Sequence, residues 1–319
     1  MCGYDATVPT PLPAPTSRSA APLGHVLGVD IGGSSAKIVL VPRAADGALG
    51  EPVEQVRWRL SPGAGVPALL DELTRVAGPV DVGAVGLSVP GVVDPSGSHV
   101  VRSTNVPWLE GPDLLPAIAG ALGAPVALVN DGEAFAVAEA RLGPGTGRDD
   151  VLVLALGTGV AAAHVVRGRV HRGAHGAAGE LGHLSLDPNG PPCSCGQRGC
   201  LETSIGAANL ARRWAAVGGP AGGDAETLAV AARAGDAVAT VVVERANHAL
   251  ARALLHAVTL IDPGLVVVGG GLAQASDVYV EPAVALAREW ATFQTVPPVL
   301  PAALGAWAGA RGAALAAPR

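Results

Sequence analysis

The sequence predicts an α/β protein of two related halves, mainly because a strand–glycine turn–strand pattern occurs twice. The first copy is HVLGVDIGGSSAKIVLVP, which starts at residue 25, and the second is VLVLALGTGVAAAHVVRG at 151–168. At an offset of 125 residues, Gly32 matches Gly157 and Ala36 matches Ala161. Further strand-like and helical segments follow each copy, as expected for two similar α/β units.

Beyond these hairpins, apolar runs that predict strands alternate with periodic stretches that predict helices. In the first half, strands are predicted at 80–91 and 124–130, and helices at 113–122 and 131–143. In the second half, helices are predicted at 203–216, 225–234, 236–260 and 277–291, with a strand at 265–271 and a closing helix of small residues.

Composition excludes several classes of protein. The 319 residues carry a net charge of −6 without a run rich in Lys or Arg, which argues against a nucleic-acid surface. No apolar stretch of about 18 residues predicts a membrane span. Residues 1–24 are rich in Pro and Ala and have no basic, apolar signal pattern, so they are predicted to form a disordered tail.

A cluster of cysteines predicts a metal site. Cys193, Cys195 and Cys200 fall within eight positions, and His183 lies ten residues upstream of the first. Three thiolates and one imidazole suit tetrahedral zinc, and the spacing fits a reducing compartment. The alternatives are buried free thiols or one local disulfide, and the neighbouring glycines and prolines speak against a packed apolar role. The prediction is therefore structural zinc.

Glycine turns follow apolar strands at 32–33, 157–159 and 269–271. Such turns let backbone N–H groups approach an anion closely, and three of them predict a nucleotide held between the halves. Asp30 ends the strand before the first turn, where a carboxylate suits Mg²⁺ beside phosphates. The alternative role for Asp30 is that of a turn-capping residue.

Asp131 follows the strand at 124–130 and starts the next helix, beside Asn130. One interpretation is a helix N-terminal carboxylate stabilised by the helix dipole. The other is a catalytic base at the carboxyl end of a strand, where active sites of open α/β sheets lie. Spacing alone favours neither.

Six segments in order resemble the ROK family (repressors, open reading frames and sugar kinases), and in particular its bacterial glucokinases: VLGVDIGGSSAK, STNVPW, NDGEAFAVAEARLG, LALGTG, HGAAGELGH and CSCGQRGCLE. The resemblance covers about residues 25–319. It implies an actin-like ATPase, hexokinase-like (ribonuclease H-like) fold of two lobes with a cleft between them. The N-terminal lobe would span 25–133, with the closing helix at about 303–319 packing back on it, and the C-terminal lobe 134–302 would contain the zinc motif at 183–200.

The resemblance also implies roles for individual residues. Asp131 would be the general base that takes the proton from the 6-hydroxyl of glucose during phosphoryl transfer from ATP. The sugar would be bound by Asn105, Asn130, Asp131, Glu180, His183 and Glu202. The nucleotide and its Mg²⁺ would be bound by Asp30, Gly32, Gly33, Ser34, Lys37, Gly157, Thr158, Gly159, Gly270 and Gly271. Zinc would be held by His183, Cys193, Cys195 and Cys200, with every position filled by protein.

The expected function is thus that of a cytoplasmic, homodimeric glucokinase that binds neither nucleic acid nor a membrane. The alternatives are a kinase for fructose, N-acetylmannosamine or N-acetylglucosamine, or a sugar-binding regulator without catalysis. A repressor would need a DNA-binding module before the first lobe, and only 24 residues precede His25. One departure from the family pattern is GTGVAAA at 157–163 in place of a glycine-richer run, and these alanines are expected to restrict the backbone near the phosphates.

Overall fold

Strands from the two halves of the chain form two separate five-stranded sheets. A computed structural model describes residues 24–61, 63–104 and 106–319. The strands of the first half are β1 (Gly24–Ile31), β2 (Ser35–Arg43), β3 (Glu54–Arg59), β4 (Val82–Val89), β5 (Val92–Val93), β6 (Val100–Arg102) and β7 (Val126–Asn130). Those of the second half are β8 (Asp150–Leu156), β9 (Val160–Val166), β10 (Arg169–Val170), β11 (Leu265–Gly269) and β12 (Val299–Pro301).

The two sheets have the same topology. The strand orders are β3-β2-β1-β4-β7 and β10-β9-β8-β11-β12, while β5 and β6 form a small separate ribbon. In each sheet an antiparallel hairpin, β1–β2 or β8–β9, is followed by two strands that add in parallel. The equivalent hairpin turns are those that contain Gly32 and Gly157. The predicted pair of related α/β halves is therefore confirmed.

Ten α-helices pack around the sheets within the described residues. They are α1 (Val66–Ala77), α2 (Leu114–Leu122), α3 (Asp131–Arg141), α4 (Leu201–Ile205), α5 (Ala207–Ala216), α6 (Ala225–Arg233), α7 (Ala237–Ile261), α8 (Ser276–Tyr279), α9 (Glu281–Trp290) and α10 (Ala308–Ala316). Two predicted helices were wrong as single elements. The helix at 203–216 is broken at Gly206, where ψ is 134°, and that at 277–291 is broken at Val280, just before Pro282.

Each sheet is covered on both faces, so its central strands are mostly apolar, with their polar residues near the strand ends. In β11 all five residues are buried. One face of the first sheet packs against α1 and α2, and the other packs against α10. The second sheet packs against α4–α9 on one face and against α3 on the other. Because α3 also contacts α10, this helix connects the two sheets through its packing. It runs through the predicted lobe boundary at 133/134, and that boundary stays a prediction.

Helix α10 lies unusually close to the first sheet because small residues face each other across the contact. A Cβ at Gly86 of β4 would overlap the backbone carbonyl of Ala313, and a Cβ at Gly28 of β1 would overlap that of Ala310. Only glycine permits this separation. The alanine-rich sequence of the closing helix is thus explained by its distance from the sheet.

Glu139 of α3 is a fully buried carboxylate, and it fixes the segment that leads into α10. Its oxygens accept from the backbone N–H groups of Ala303 and Leu304 at 3.0 and 2.9 Å. We expect Glu139→Ala to lower the free energy of unfolding by about 2–4 kcal/mol, because two buried donors lose their acceptor. Denaturant unfolding measures this loss. The matched control is Glu289→Ala on the exposed side of α9, and equal midpoints for the two variants would contradict the assignment.

Two sequence predictions fall wholly or partly outside the described part of the chain. Residues 1–23 of the predicted tail lie there, and so does Asn105, one of the predicted sugar ligands. Within the described part, no helix combines the length and the apolar character that a membrane crossing requires.

Candidate functional site

Three polar side chains stand at the carboxyl ends of neighbouring parallel strands in the first sheet. Asp30 of β1 lies beside Ser88 of β4, and the next residue of β4, Val89, lies beside Asn130 of β7. Asp131 then begins α3. Since these strand ends share one edge of the sheet, the predicted magnesium and base residues lie on the same side of the molecule.

The carboxylate of Asp30 is held by two side chains from adjacent strands. Lys37 of β2, the single lysine of the chain, lies 3.2 Å from Oδ2. The hydroxyl of Ser88 donates to Oδ1 at 2.9 Å. With both oxygens partnered, Asp30 suits contact with a hydrated cation through water better than direct ligation. Ser88 was not predicted as a site residue, although a serine within the apolar run VGAVGLSV was a visible signal.

The side chains of Asn130 and Asp131 both accept a hydrogen bond at the start of α3. The Oδ1 atoms of both residues accept from the N–H of Gly132 at 2.9 Å. The Nδ2 of Asn130 donates to the carbonyl of Gly91 at 2.9 Å. The N-cap is thus Asn130 rather than Asp131. Because Asn130 supplies the cap, the helix does not need Asp131 for this purpose, and the second Asp131 oxygen is left for other partners.

The surroundings of Asp131 favour its protonated form. Although its side chain is exposed at the edge of the cleft, nearby protein displaces part of its hydration, and this burial raises its pKa above the ordinary value. The negative charge of Asp30 raises the pKa further, while the hydrogen bond from Gly132 opposes both effects. A carboxylate with a raised pKa in a cleft is a candidate general base.

A cavity of about 980 Å³ lies next to Asp131, between elements of the two sheets. Asn130, Gly132 and Glu133 line it from the first half, and Ala161–Ala163 and Glu180 line it from the second. The ribbon loop at 91–97 and the segment at 172–178 contribute further walls. The cavity has the size of small-molecule sites, which is about 300–1,000 Å³. Two predicted sugar ligands, Asn130 and Glu180, therefore face one space.

Glu133 and Arg172 join the two sides of this cavity, and sequence analysis did not identify either. The guanidinium of Arg172 donates to both carboxylate oxygens of Glu133, each at 2.6 Å. The pair connects the first turn of α3 to the segment that ends at Glu180. No local sequence motif indicates this ion pair, because its two residues are 39 positions apart.

The second and third predicted glycine turns touch each other at the edge of the second sheet. Gly269 pairs with Ala155, and the next residue, Gly270, has φ of +92°. A Cβ at Gly270 would overlap the carbonyl of Leu156, so glycine is required there. The turns at 157–159 and 269–271 thus form one glycine-lined edge. The Gly32–Ser34 turn occupies the equivalent place in the first sheet.

Glu202, a predicted sugar ligand, also contacts the turn at 157–159. Its Oε2 accepts from the N–H of Val160 at 3.0 Å. The residue lies in the first turn of α4, two positions after Cys200. Glu202 therefore connects the cysteine segment with a predicted phosphate turn, which its spacing did not indicate.

Ala161–Ala163 lie in regular β9, opposite Ala155, Leu154 and Val153 of β8. None of the three has a positive φ. The three alanines thus adopt ordinary strand conformations, and their effect on phosphate binding stays a prediction. Their place on the cavity wall with Glu180 puts them nearer the predicted sugar site than expected.

Glu180 and His183 sit on a single tight turn. Leu181–His183 form a short 3₁₀ helix, and the N–H of His183 donates to the carbonyl of Glu180 at 2.9 Å. The Nδ1 atom of His183 faces Cys193 Sγ at 3.7 Å. Its Nε2 atom is therefore the ring nitrogen available to a second partner.

The four predicted zinc ligands come together as expected. One donor atom from each of His183, Cys193, Cys195 and Cys200 lies within 4.8 Å of all the others. The Sγ atoms of Cys195 and Cys200 are 3.6 Å apart. A tetrahedral zinc with Zn–S bonds of about 2.3 Å requires S–S separations of about 3.8 Å. The donor types and their spacing thus fit a four-coordinate zinc with no open position.

The alternative of a local disulfide does not hold, because Cys193, Cys195 and Cys200 are free thiols. Hydrogen bonds, chiefly from the backbone N–H of Cys195, lower the pKa of the Cys193 thiol to about 7. Burial raises the pKa of the Cys200 thiol to about 12. A cation placed between the donors would supply the charge that the buried Cys200 needs to ionise.

Comparison with known proteins identifies the family. The ROK family model matches residues 26–319. The glucokinase of Thermotoga maritima is 32% identical over 281 residues, which cover 81% of this chain and 85% of that protein. The N-acetylgalactosamine kinase AgaK of a Shewanella strain is 32% identical over 304 residues, which cover 90% of this chain and 95% of that protein.

Solved structures agree in fold. The ROK hexokinase from Thermus thermophilus is 34% identical with a TM-score of 0.82, and the match covers 92% of this chain and 97% of that one. A ROK glucokinase from Streptomyces griseus, solved with glucose and AMPPNP, is 29% identical with a TM-score of 0.69 and coverages of 91% and 98%. The predicted actin-like ATPase fold is confirmed. Since sequence and structure match from one end of the described chain to the other, the chain belongs to the ROK family, with sugar kinases among its relatives.

Proposed function

We propose that the chain is an ATP-dependent glucokinase in which Asp131 is the general base. The observation that carries the proposal is the position of Asp131. It stands at the carboxyl end of β7, has a raised pKa, and adjoins a cavity shared by Asn130 and Glu180. Asp30 lies close enough to raise the pKa of Asp131, and Lys37 and the Gly32–Ser34 turn adjoin Asp30 in a group suited to phosphates. A base between a hydroxyl-binding cavity and a phosphate edge is the arrangement that sugar phosphorylation requires.

In this proposal the hexose occupies the 980 Å³ cavity. Asn130 and Glu180 line this cavity and exchange hydrogen bonds with the hydroxyl groups of the hexose. His183 and Glu202 lie outside the cavity lining and are proposed as further ligands from the sequence resemblance. Carboxylate and amide groups reject an epimer strongly, because a misplaced hydroxyl leaves a buried polar partner unpaired. Asp131 accepts the proton of the 6-hydroxyl as that oxygen bonds to the γ-phosphorus and the bond to the β-phosphate oxygen breaks.

The nucleotide, carried as MgATP, lies along the glycine edge. Backbone N–H groups of the turns at 32–33, 157–159 and 270–271 face its phosphates, together with Thr158 and Ser34. Lys37 adds a positive charge, and Asp30 orients the hydrated Mg²⁺. These groups stabilise negative charge on the transferring phosphoryl group.

Zinc is proposed as the occupant of the four-ligand cluster, in a structural role. It would fix the orientation of His183 and the start of α4. Homodimer formation and a cytoplasmic location remain predictions from sequence. The phosphoryl donor is proposed from the glycine turns and from the S. griseus relative solved with AMPPNP.

The second candidate function is a kinase for an N-acetylated hexosamine, since a relative named as an N-acetylgalactosamine kinase is 32% identical to this chain. A coupled assay of ADP release should compare glucose, fructose, N-acetylmannosamine, N-acetylglucosamine and N-acetylgalactosamine at equal concentration. We expect kcat/KM for glucose to exceed the others by tenfold or more, since one unpaired buried polar group costs about 1–3 kcal/mol. Faster turnover of an amino sugar would replace the first candidate by the second, and no turnover of any sugar would favour a binding protein.

A further inference from the structure

A second cavity is lined in part by the cysteine segment, residues 183–200. Its volume is about 390 Å³, and it shares no lining residue with the larger cavity. Helix α7 forms one wall with residues three or four apart, Val241, Arg245, His248 and Arg252. Arg213 of α5 forms another wall, and Asp187 and Gly199 of the cysteine segment form a third. We call this space the arginine pocket.

The three arginines of the arginine pocket, Arg213, Arg245 and Arg252, outnumber its two carboxylates. Among the described residues, the side chains of Arg213, Arg245 and Arg252 form no ion pair and no hydrogen bond within normal distances. Arg213 is half-buried. Burial lowers the pKa of its guanidinium, and the positive charge of Arg245 lowers it further. Like charges held this close raise the energy of the empty pocket, and an anion between them would remove that cost.

Two carboxylates, Glu244 and Asp187, also line the arginine pocket. Asp187 already accepts from the N–H of Asn189 at 2.9 Å, and Glu244 is exposed. Neither lies within ion-pair distance of the three arginines, in the part of the chain that is described. Carboxylates accept hydrogen bonds from hydroxyl groups and repel anions. Their presence beside the guanidinium groups therefore suits a ligand with an anionic end and a hydroxylated end.

We propose that the arginine pocket binds a phosphate monoester of a hydroxylated small molecule, with its phosphate between Arg213 and Arg245. Guanidinium groups bind phosphate with charge-assisted hydrogen bonds. The pocket volume falls in the range of small-ligand sites, about 300–1,000 Å³. Hexose phosphates, the products of the proposed reaction, belong to this ligand class. The proposal for the arginine pocket depends on the charges of the pocket and not on that reaction.

The occupant would touch the segment that carries the zinc ligands. Gly199 precedes Cys200, and Ser204, two residues after Glu202, also lines the pocket. A ligand there would contact Ser204 of α4, which is two positions from Glu202. Helix α4 thus links the arginine pocket to Glu202, one of the proposed hexose ligands.

Binding to the purified full-length chain tests the proposal, with inorganic phosphate and glucose 6-phosphate titrated separately by calorimetry. We expect Arg245→Gln to weaken binding roughly 10- to 100-fold, as the loss of one charged hydrogen bond predicts. Arg213→Gln should act in the same direction. The matched control is Arg212→Gln, one position away on α5, whose guanidinium donates to Asn209 and does not line the pocket. It should bind like the unmodified protein.

Thermal unfolding without phosphate separates a binding role from a structural one. Arg245 is exposed, so Arg245→Gln should fold, and its Tm should be equal or higher because the repulsion with Arg213 is removed. Because glucose 6-phosphate also binds the proposed active site as product, only the affinity that Arg245→Gln loses is counted. A loss of affinity for glucose 6-phosphate supports the proposed monoester, and a loss of affinity for phosphate alone overturns it. If Arg245→Gln and Arg213→Gln bind both ligands as well as Arg212→Gln does, the proposal is overturned.

Discussion

Asp131→Asn is expected to reduce kcat for hexose phosphorylation by about 10²–10⁴-fold, the usual contribution of a positioned general base. Asparagine has nearly the same shape and keeps an oxygen that can accept from Gly132, so α3 should still start at the same place. It cannot take up the proton of the 6-hydroxyl. Glucose affinity should therefore change little, and calorimetric titration beside a coupled assay would separate the two effects.

The pH dependence of kcat/KM gives an independent test of the same residue. The base must be ionised, and burial raises the pKa of Asp131, so activity should fall with acid at a pH above the ordinary aspartate value of about 3.9. The sign follows because a raised pKa leaves more of the protonated, inactive form at any given pH. Asp131→Asn should lack this acid limb.

Glu133→Gln is the matched control, since it removes the other carboxylate of the first turn of α3. Glu133 is bound to Arg172 and does not compete for the proton. Its loss should cost less than tenfold in kcat and should leave the acid limb in place. An Asp131→Asn variant that kept its rate, or a Glu133→Gln variant that lost as much, would refute the assignment of the base.

The sequence predicted the general plan of the fold because that plan depends on local and repeated signals. Two apolar strands around Gly32 and two around Gly157 were recognisable as equivalent, and the sheets indeed share one strand order. The cysteine cluster was predictable for the same reason, because its ligands lie within 18 positions of each other. Such features require little knowledge of long-range contacts.

Other features depend on contacts that no local pattern records. The pair Glu133–Arg172 and the bond from Val160 to Glu202 join residues about 40 positions apart. The break at Gly206 was missed because residues 203–216 are favourable for a helix on both sides of it. Its cause is tertiary, since the N–H of Ala207 donates to Gly157 across the glycine edge. At Gly206, therefore, a long-range contact near the candidate site overrides the local helix propensity of the sequence.

The metal cluster gives the second large expected effect, on hexose binding rather than on the phosphoryl transfer step. Cys200 is fully buried and is the residue from which α4 begins, two positions before Glu202. Cys200→Ser should reduce bound zinc from about one per chain to well below it, because one of four ligands is lost. The misplacement of Glu202 and His183 should then raise KM for hexose by roughly 10- to 100-fold, because two hydrogen-bonding partners worth about 1 kcal/mol or more each are lost.

Metal analysis and steady-state kinetics measure the two parts of this prediction. The matched control is Ser194→Ala, an exposed position between two ligands, which should keep its zinc and its KM. KM is expected to change more than kcat, because the four protein ligands would fill every position around the metal and leave no place for a reacting water. Loss of zinc with an unchanged KM would show that the cluster stabilises the chain without positioning the hexose ligands. A fall in kcat alone would instead place the metal in the chemical step, contrary to the geometry.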